Sequence, residues 1–120
     1  FRAVRSLGAR IAPVVQVSEI RTIAADDLWL SPCYRRDSFA IHFTWVEDRR
    51  AVEPVLAAVE SALLPLGARP HWGKLFLSGP RAALSGYERV NDFERLLDRH
   101  DPRGKFRNRF VQQLFPKESV

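Results

Sequence analysis

The chain has 120 residues, 46% of them hydrophobic, which fits one domain with a single core. Its net charge of +5 comes from 16 arginines and three lysines, but these are scattered among acidic residues and form no nucleic-acid-binding motif, so we expect no nucleic-acid partner. No run approaches the roughly 20 apolar residues of a membrane span, and the single cysteine, Cys33, excludes an internal disulfide. We therefore expect a protein with no membrane partner, located in the reducing cytoplasm.

Two extended segments are predicted in the first half of the chain. Residues 12–23 are rich in β-branched side chains, which predicts a strand, and a loop over residues 26–37 follows. Residues 38–46 alternate strictly and predict a second strand. One face of that strand carries Phe39, Ile41, Phe43 and Trp45, and the other carries Ala40, His42 and Thr44. If the strands pair antiparallel, we expect the first of these faces to be buried.

A helix is predicted over residues 49–64, with Asp48 as its N-cap and Gly67 just beyond its end. Residues 71–74, His-Trp-Gly-Lys, follow as a loop. Its glycine allows close backbone approach to a ligand and its aromatic rings offer flat faces, which indicates the floor of a site, although an ordinary exposed loop also fits.

The remaining elements are short. Residues 75–77 form an apolar stretch and residues 80–87 a helical turn. Asn91 is the expected N-cap of a helix ending near Asp98, residues 101–106 form a turn, and a last helix is predicted over residues 108–115. Strands followed by helices indicate an α+β fold in which antiparallel strands are covered by helices. Because two strands alone are marginal, and because the chain lacks methionine, we expect a segment of a longer protein with further strands upstream.

Polar side chains on the two strands define a candidate site. Glu19 and Arg21 leave one face of the first strand, His42 and Thr44 leave one face of the second, and Lys74 is expected to reach them from the loop. Such alternating donors and acceptors suit a polyhydroxylated ligand. An exposed ion pair and a structural histidine explain the same residues. Neither His42 nor His71 has acidic or thiolate partners at ligand spacing, so we expect no metal site.

Five segments carry a resemblance to a known family. They are residues 19–22 (EIRT), 25–32 (ADDLWLSP), 42–45 (HFTW), 69–74 (RPHWGK) and 101–108 (DPRGKFRN). Together they resemble the C-terminal part of the flavin-dependent alditol oxidases, in the sugar-lactone oxidase group of the vanillyl-alcohol oxidase type of flavoprotein. The fourth and fifth segments are shared with the lactone oxidases, whereas the two strand segments are typical of the alditol branch.

The resemblance implies that residues 1–120 are the C-terminal substrate-binding or cap segment of a larger flavoprotein, preceded by an FAD-binding domain. The implied enzyme oxidises the terminal CH–OH of alditols such as xylitol or sorbitol to aldoses and reduces O2 to H2O2. Substrate-binding roles fall on Glu19, Arg21, His42, Thr44 and Lys74. Catalytic roles fall on Lys74 and Arg21, and His71 lies beside the FAD.

The implied partners are the N-terminal FAD-binding domain of the same protein, a small polyol and O2. The segment alone is expected to be inactive and capable of self-association. Two alternatives remain open, namely an oxidase of aldonolactones of the D-arabinono-1,4-lactone or L-gulonolactone type, and a sugar-binding module without catalysis.

Overall fold

A two-stranded antiparallel sheet organises the fold in a computed structural model, which describes residues 1–116 apart from the side chain of Arg81. Strand β1, Val15–Ile23, pairs with β2, Ser38–Trp45, so that Glu19 lies opposite His42. The predicted start of β1 at residue 12 is wrong. The Val14 N–H donates to the Ile11 carbonyl at 3.0 Å, which continues the preceding helical turn up to the strand.

Six helices accompany the sheet: α1 (Arg2–Arg5), α2 (Gly8–Ile11), α3 (Arg49–Leu63), α4 (Pro80–Leu84), α5 (Val90–His100) and α6 (Arg109–Leu114). The α+β class is therefore confirmed, although α1 and α2 had no prediction. Helix α3 begins as predicted, because the Asp48 carboxylate accepts from the Ala51 N–H at 3.1 Å. It ends one residue early in a 3₁₀ turn, Leu64–Leu66, and Gly67 then adopts φ 76° as a left-handed cap.

The core lies between α2, α3 and one end of the sheet. Its buried residues are Ile11, Val14, Val52, Val55 and Val59. Phe43 and Trp45 pack on this cluster from the sheet and stack on each other, with ring centroids 5.0 Å apart. The sheet is therefore anchored to α3 through the last residues of β2.

The other end of the same sheet face is uncovered. Ile20 is 55% exposed and Phe39 is 56% exposed, so the expectation that this face is buried along its whole length is wrong. The reason is geometric: the buried cluster meets the sheet only at Val15, Phe43 and Trp45. The alternation of apolar residues thus identified the apolar face of the sheet, whereas the burial of that face depends on which other elements pack against it.

Of the two N-caps predicted for the C-terminal helices, one is confirmed and one is wrong. Asn108 caps α6 as expected, since its side chain accepts from the Val111 N–H at 2.9 Å. Asn91 does not cap α5, which already begins at Val90 after an Arg89 without a side-chain cap. The carboxylate of Asp92 lies in the first turn of α5, where it pairs with Arg89 at 2.6 Å and also with Arg95. A negative charge there favours the helix start without a cap.

The protein is more extended than a compact domain of its length. Its radius of gyration is 16.2 Å, with extents of 48 × 32 × 21 Å, against about 14 Å for a compact chain of this size. Within residues 1–116, no helix has the length and apolar character needed to cross a membrane. In the same range, no three His, Cys, Asp or Glu side chains group together as a metal site requires.

Candidate functional site

The polar face of the sheet brings three predicted site residues into direct contact. Oε2 of Glu19 accepts a hydrogen bond from the Arg21 guanidinium at 2.7 Å and lies 3.3 Å from Nδ1 of His42. Glu19 and His42 are cross-strand partners, and Arg21 lies opposite the short side chain of Ala40. Alternation and antiparallel register therefore build this cluster, as the sequence predicted.

The Glu19 carboxylate is held in its charged form. Its pKa lies below the ordinary value of 4.5, chiefly because of the hydrogen bond with His42 and then because of the hydrogen bond and positive charge of Arg21. Since a carboxylate only accepts, Nδ1 of His42 donates in this contact. In the neutral imidazole, Nε2 is then left as a proton acceptor.

Thr44 lies on the same sheet face, two residues beyond His42 and opposite Val17. It is exposed, as is most of this face, with the side chain of Arg21 67% accessible to solvent. Taken by itself, the described chain therefore presents a polar wall and not an enclosed pocket. The four strand residues of the predicted site share that wall.

Residues 71–74 form a tight turn. The Lys74 N–H donates to the His71 carbonyl at 3.0 Å, and the Gly73 N–H donates to Nδ1 of His71 at 3.0 Å. Because Nδ1 accepts there, the neutral His71 ring carries its proton on Nε2 and is an outward donor. A Cβ at Gly73 would lie 3.4 Å from the His71 ring, so glycine leaves room for the ring to fold over the backbone.

Trp72 does not offer a free flat face, contrary to the sequence interpretation. Its ring packs among Tyr87, Phe76 and Phe110, with centroids 5.1, 6.5 and 6.1 Å away. Its indole N–H donates to the Leu30 carbonyl at 2.8 Å. The indole therefore anchors the turn, and only His71, Gly73 and Lys74 are exposed.

Lys74 stands apart from the strand cluster in terms of contacts. Its side chain makes no hydrogen bond or ion pair with the residues that the structure describes. The next residue, Leu75, lines a cleft of about 270 Å³ together with Trp45 and Val46, at the end of β2 nearest Thr44. Convergence of Lys74 with Glu19, Arg21 and Thr44 stays a prediction, as does the role of His71.

Sequence reasoning missed the residues that hold this turn in place. Arg69 donates to the carbonyls of Ser31 and Pro32 at 3.3 and 3.2 Å, and Trp72 binds the neighbouring carbonyl. Backbone acceptors carry no side-chain signature, so no sequence pattern could assign them. The only available signal was that both segments occur among the five that resemble the family.

Comparison with known proteins places the chain in a family. Residues 5–114 match the family model described as D-arabinono-1,4-lactone oxidase. The chain belongs to this family. It is 46% identical over 112 residues to an alditol oxidase from Streptomyces sp. (strain IKD472 / FERM P-14339), an alignment that covers 93% of this chain and 27% of the relative.

Two further relatives of the D-arabinono-1,4-lactone oxidase family have lactone substrates in their names. An L-gulonolactone oxidase from Scyliorhinus torazame is 31% identical over 100 residues, covering 81% of this chain and 23% of the relative. An L-gulono-1,4-lactone dehydrogenase from Mycobacterium tuberculosis is 29% identical over 116 residues, covering 94% and 26%. The chain thus spans about a quarter of the length of these relatives.

The comparisons confirm the resemblance seen in the sequence at the level of the family. They join the chain to oxidoreductases of the flavoprotein oxidase type, and the substrates in the names of these relatives differ, being an alditol in one and a lactone in others.

Proposed function

We propose that this chain is the C-terminal, substrate-binding segment of an FAD-dependent oxidoreductase that oxidises the terminal CH–OH of an alditol such as xylitol or sorbitol. The observation that carries the proposal is the Glu19–Arg21–His42 cluster on an open sheet face, in a chain 46% identical to an alditol oxidase. The proposed partners are a flavin-binding domain of the same polypeptide, the polyol, and O2 as electron acceptor.

The exposed polar groups fit one wall of a flavin and substrate site. The Nε2–H of His71 is an outward donor of the kind that binds a flavin carbonyl or ring nitrogen, and Gly73 leaves the turn accessible. The described chain supplies a wall only, so most FAD contacts belong to the rest of the polypeptide. FAD, when bound, accepts a hydride from the substrate carbon.

Each site residue then has a distinct task. Arg21 and Lys74 stabilise the negative charge that develops on the C1 oxygen, as cations do best in a site from which water is excluded. Glu19 accepts hydrogen bonds from neighbouring hydroxyl groups and keeps Arg21 oriented at 2.7 Å. Nε2 of His42 is an available proton acceptor, and the Thr44 hydroxyl positions the far part of the polyol.

The test uses the full-length protein and follows flavin absorbance during anaerobic mixing with xylitol. We expect Lys74→Ala to slow flavin reduction by about a hundredfold, because a cation at the developing alkoxide is lost. Lys105→Ala is the matched control, because it removes an exposed lysine side chain from the separate 101–108 segment, to which no role in the site is assigned. An unchanged reduction rate with only weaker substrate binding would remove Lys74 from this role.

Glu19→Gln tests the strand cluster in the same protein. Loss of the carboxylate should weaken polyol binding or turnover and leave the flavin spectrum unchanged, because Glu19 is proposed to bind substrate only. A lost flavin signal would instead assign Glu19 a structural role.

The electron acceptor is tested separately in the same full-length protein. H2O2 production measured in air distinguishes oxygen from other electron acceptors.

An aldonolactone oxidase is the second candidate, favoured by the description of the family and by the relatives named for gulonolactone. Reduction of the flavin by galactono- or gulonolactone but not by xylitol or sorbitol would select it. A sugar-binding module without catalysis is the third, and it requires polyol binding in a full-length protein that carries no flavin.

A further inference from the structure

Three consecutive backbone carbonyls in the loop between the strands receive side-chain donors from residues 69–72. The Trp72 indole donates to the carbonyl of Leu30 at 2.8 Å. One terminal nitrogen of Arg69 donates to the carbonyls of Ser31 and Pro32 at 3.3 and 3.2 Å. The segment that leads into the 71–74 turn is therefore attached to the loop at two side chains.

The loop that presents these carbonyls is itself fixed by Asp26. The Asp26 carboxylate accepts from the Leu28 N–H at 3.0 Å and from the Ser31 hydroxyl at 2.5 Å. The same hydroxyl oxygen accepts from the Cys33 N–H at 3.1 Å, and the Asp26 N–H donates to the Cys33 carbonyl at 3.2 Å. A loop with this many internal bonds offers its outward carbonyls at defined positions.

Residues 86–87 contact Arg69 and Trp72 on the side away from the 26–37 loop. The Arg69 guanidinium lies 4.6 Å from the centroid of the Tyr87 ring, and the Trp72 ring is 5.1 Å from the same ring. A Cβ at Gly86 would lie 3.4 Å from Nε of Arg69. Both side chains are thus held between the 26–37 loop and residues 86–87.

Lys74 follows immediately after these two anchors. Its backbone N–H closes the turn on the His71 carbonyl, whereas its side chain is exposed and unbonded among the described residues. Trp72 is two residues away, so its position sets the point from which the lysine side chain extends. A displacement of about 1 Å of a catalytic group costs on the order of a hundredfold in rate.

We propose that Arg69 and Trp72 are positioning residues, which lock the 71–74 turn onto the carbonyls of Leu30, Ser31 and Pro32 and thereby fix where the Lys74 amine stands. This inference rests on the proposed function, in which Lys74 stabilises the developing alkoxide. Neither residue touches the substrate. They act through the backbone of the turn.

The test compares two tryptophan variants in the full-length protein. Trp72→Phe keeps a ring beside Tyr87 but removes the donor to the Leu30 carbonyl. We expect flavin reduction by xylitol to slow by about tenfold while KM, the flavin spectrum and the melting temperature change little. Trp29→Phe is the matched control in the loop itself. The Trp29 ring lies under the Arg89 guanidinium and makes no hydrogen bond or ring contact with the 71–74 turn that the structure describes, so this variant should reduce flavin at the normal rate.

A third variant addresses Arg69. Lysine at position 69 has a single nitrogen, which cannot both lie over the Tyr87 ring and reach the two carbonyls as the guanidinium does, so Arg69→Lys should reproduce the slow reduction. Hydrogen–deuterium exchange of the intact protein supplies a readout independent of catalysis. Both Trp72→Phe and Arg69→Lys should raise exchange at residues 71–75, whereas Trp29→Phe should not.

Each result has a definite reading. Faster exchange with an unchanged reduction rate would overturn the positioning role, and unchanged exchange would overturn the attachment itself. If the unaltered protein reduces its flavin with no alditol and no lactone, the proposed function fails and the role of Lys74 with it. In that case the exchange data still report whether Arg69 and Trp72 hold the turn.

Discussion

A single carboxylate oxygen determines the charge pattern of the candidate site. Oε2 of Glu19 receives both the Arg21 guanidinium and Nδ1 of His42. This arrangement keeps Glu19 negative and directs the two donors toward it, so the remaining nitrogens of Arg21 and Nε2 of His42 are free for a ligand. The cluster is exposed, and its importance therefore lies in orientation and not in stability.

We predict that His42→Ala, which removes the donor, raises the pKa of Glu19 toward 4.5, because the hydrogen bond with His42 is the largest cause of its lowered value. A ¹³C NMR titration of the Glu19 carboxyl carbon measures the change. Since the pKa is depressed in the folded state, the contribution of this cluster to folding is complete above pH 4.5 and is lost as the pH falls further. An identical titration curve in the variant would contradict the arrangement.

Tyr87 offers a second test at the level of one side chain. It is 6% exposed, its hydroxyl has no hydrogen-bond partner among the described residues, and burial raises its pKa to about 12. The folded state therefore keeps the phenol neutral where an unfolded chain ionises it, so stability falls as the pH rises from 10 to about 12.

Tyr87→Phe should consequently leave stability at pH 7 unchanged or slightly higher, because an unsatisfied buried hydroxyl is removed and the ring beside Arg69 is kept. The variant should also lose less stability than the unaltered protein between pH 9 and pH 11. Urea unfolding at the two pH values checks both statements. A marked loss at pH 7 would mean that the hydroxyl has a partner.

At the scale of the elements, the conformation of the loop of residues 101–107 is stabilised chiefly by side chains of the loop itself. The Asp101 side chain is buried and accepts from the N–H groups of Lys105 and Phe106, at 2.7 and 3.1 Å, one on each oxygen. Gly104 takes φ 69°, and the buried Arg107 pairs with Asp98 at 2.6 Å. These residues serve the fold, whereas the Phe106 ring is 79% exposed.

We expect Asp101→Asn to destabilise the protein by about 2 kcal/mol, because an amide would turn one NH2 group toward a backbone N–H and leave that donor unsatisfied. Chemical denaturation measures the loss. The matched control is Asp27→Asn, which changes the same group at an exposed position in the 26–37 loop and should alter stability by less than about 0.5 kcal/mol. Equal effects in both variants would refute the role of Asp101.

At the scale of the whole molecule, the sheet extends beyond the helical core. One end is anchored on α3, and the other leaves Ile20 and Phe39 more than half exposed on a protein whose radius of gyration is 16.2 Å. Uncovered strands with apolar faces tend to pair with other chains. The chain also covers only 27% of its alditol oxidase relative.

We therefore predict that the chain, when expressed alone, self-associates in a concentration-dependent way through this uncovered end. Phe39→Lys should lower the association, whereas Ala40→Lys, the next residue on the opposite face of β2, should not. Sedimentation velocity over a range of concentrations measures both. A monomer at all concentrations, with its circular dichroism spectrum intact, would contradict the prediction.

Local sequence signals predicted much of the fold. Strict alternation over residues 38–46 and β-branched residues before it identified the two strands, and Asp48, Gly67 and Asn108 marked helix ends correctly. Asn91 failed as a cap because Asp92 and its arginine partners stabilise the start of α5 instead. Helices α1 and α2 have four residues each, too few for a helical hydrophobic period to be recognised in the sequence. They are seen only in the structure, where they pack on the core around Ile11.

The sequence by itself determined which side chains share a face of the sheet, because alternation has a period of two, and it determined the family. Only the tertiary structure decided which atoms of those side chains meet, how far the sheet is covered, and that Trp72 is an anchor. These outcomes depend on contacts between residues far apart in the chain and on backbone carbonyls. Such acceptors are the same at every position, so side-chain identity cannot specify them in advance.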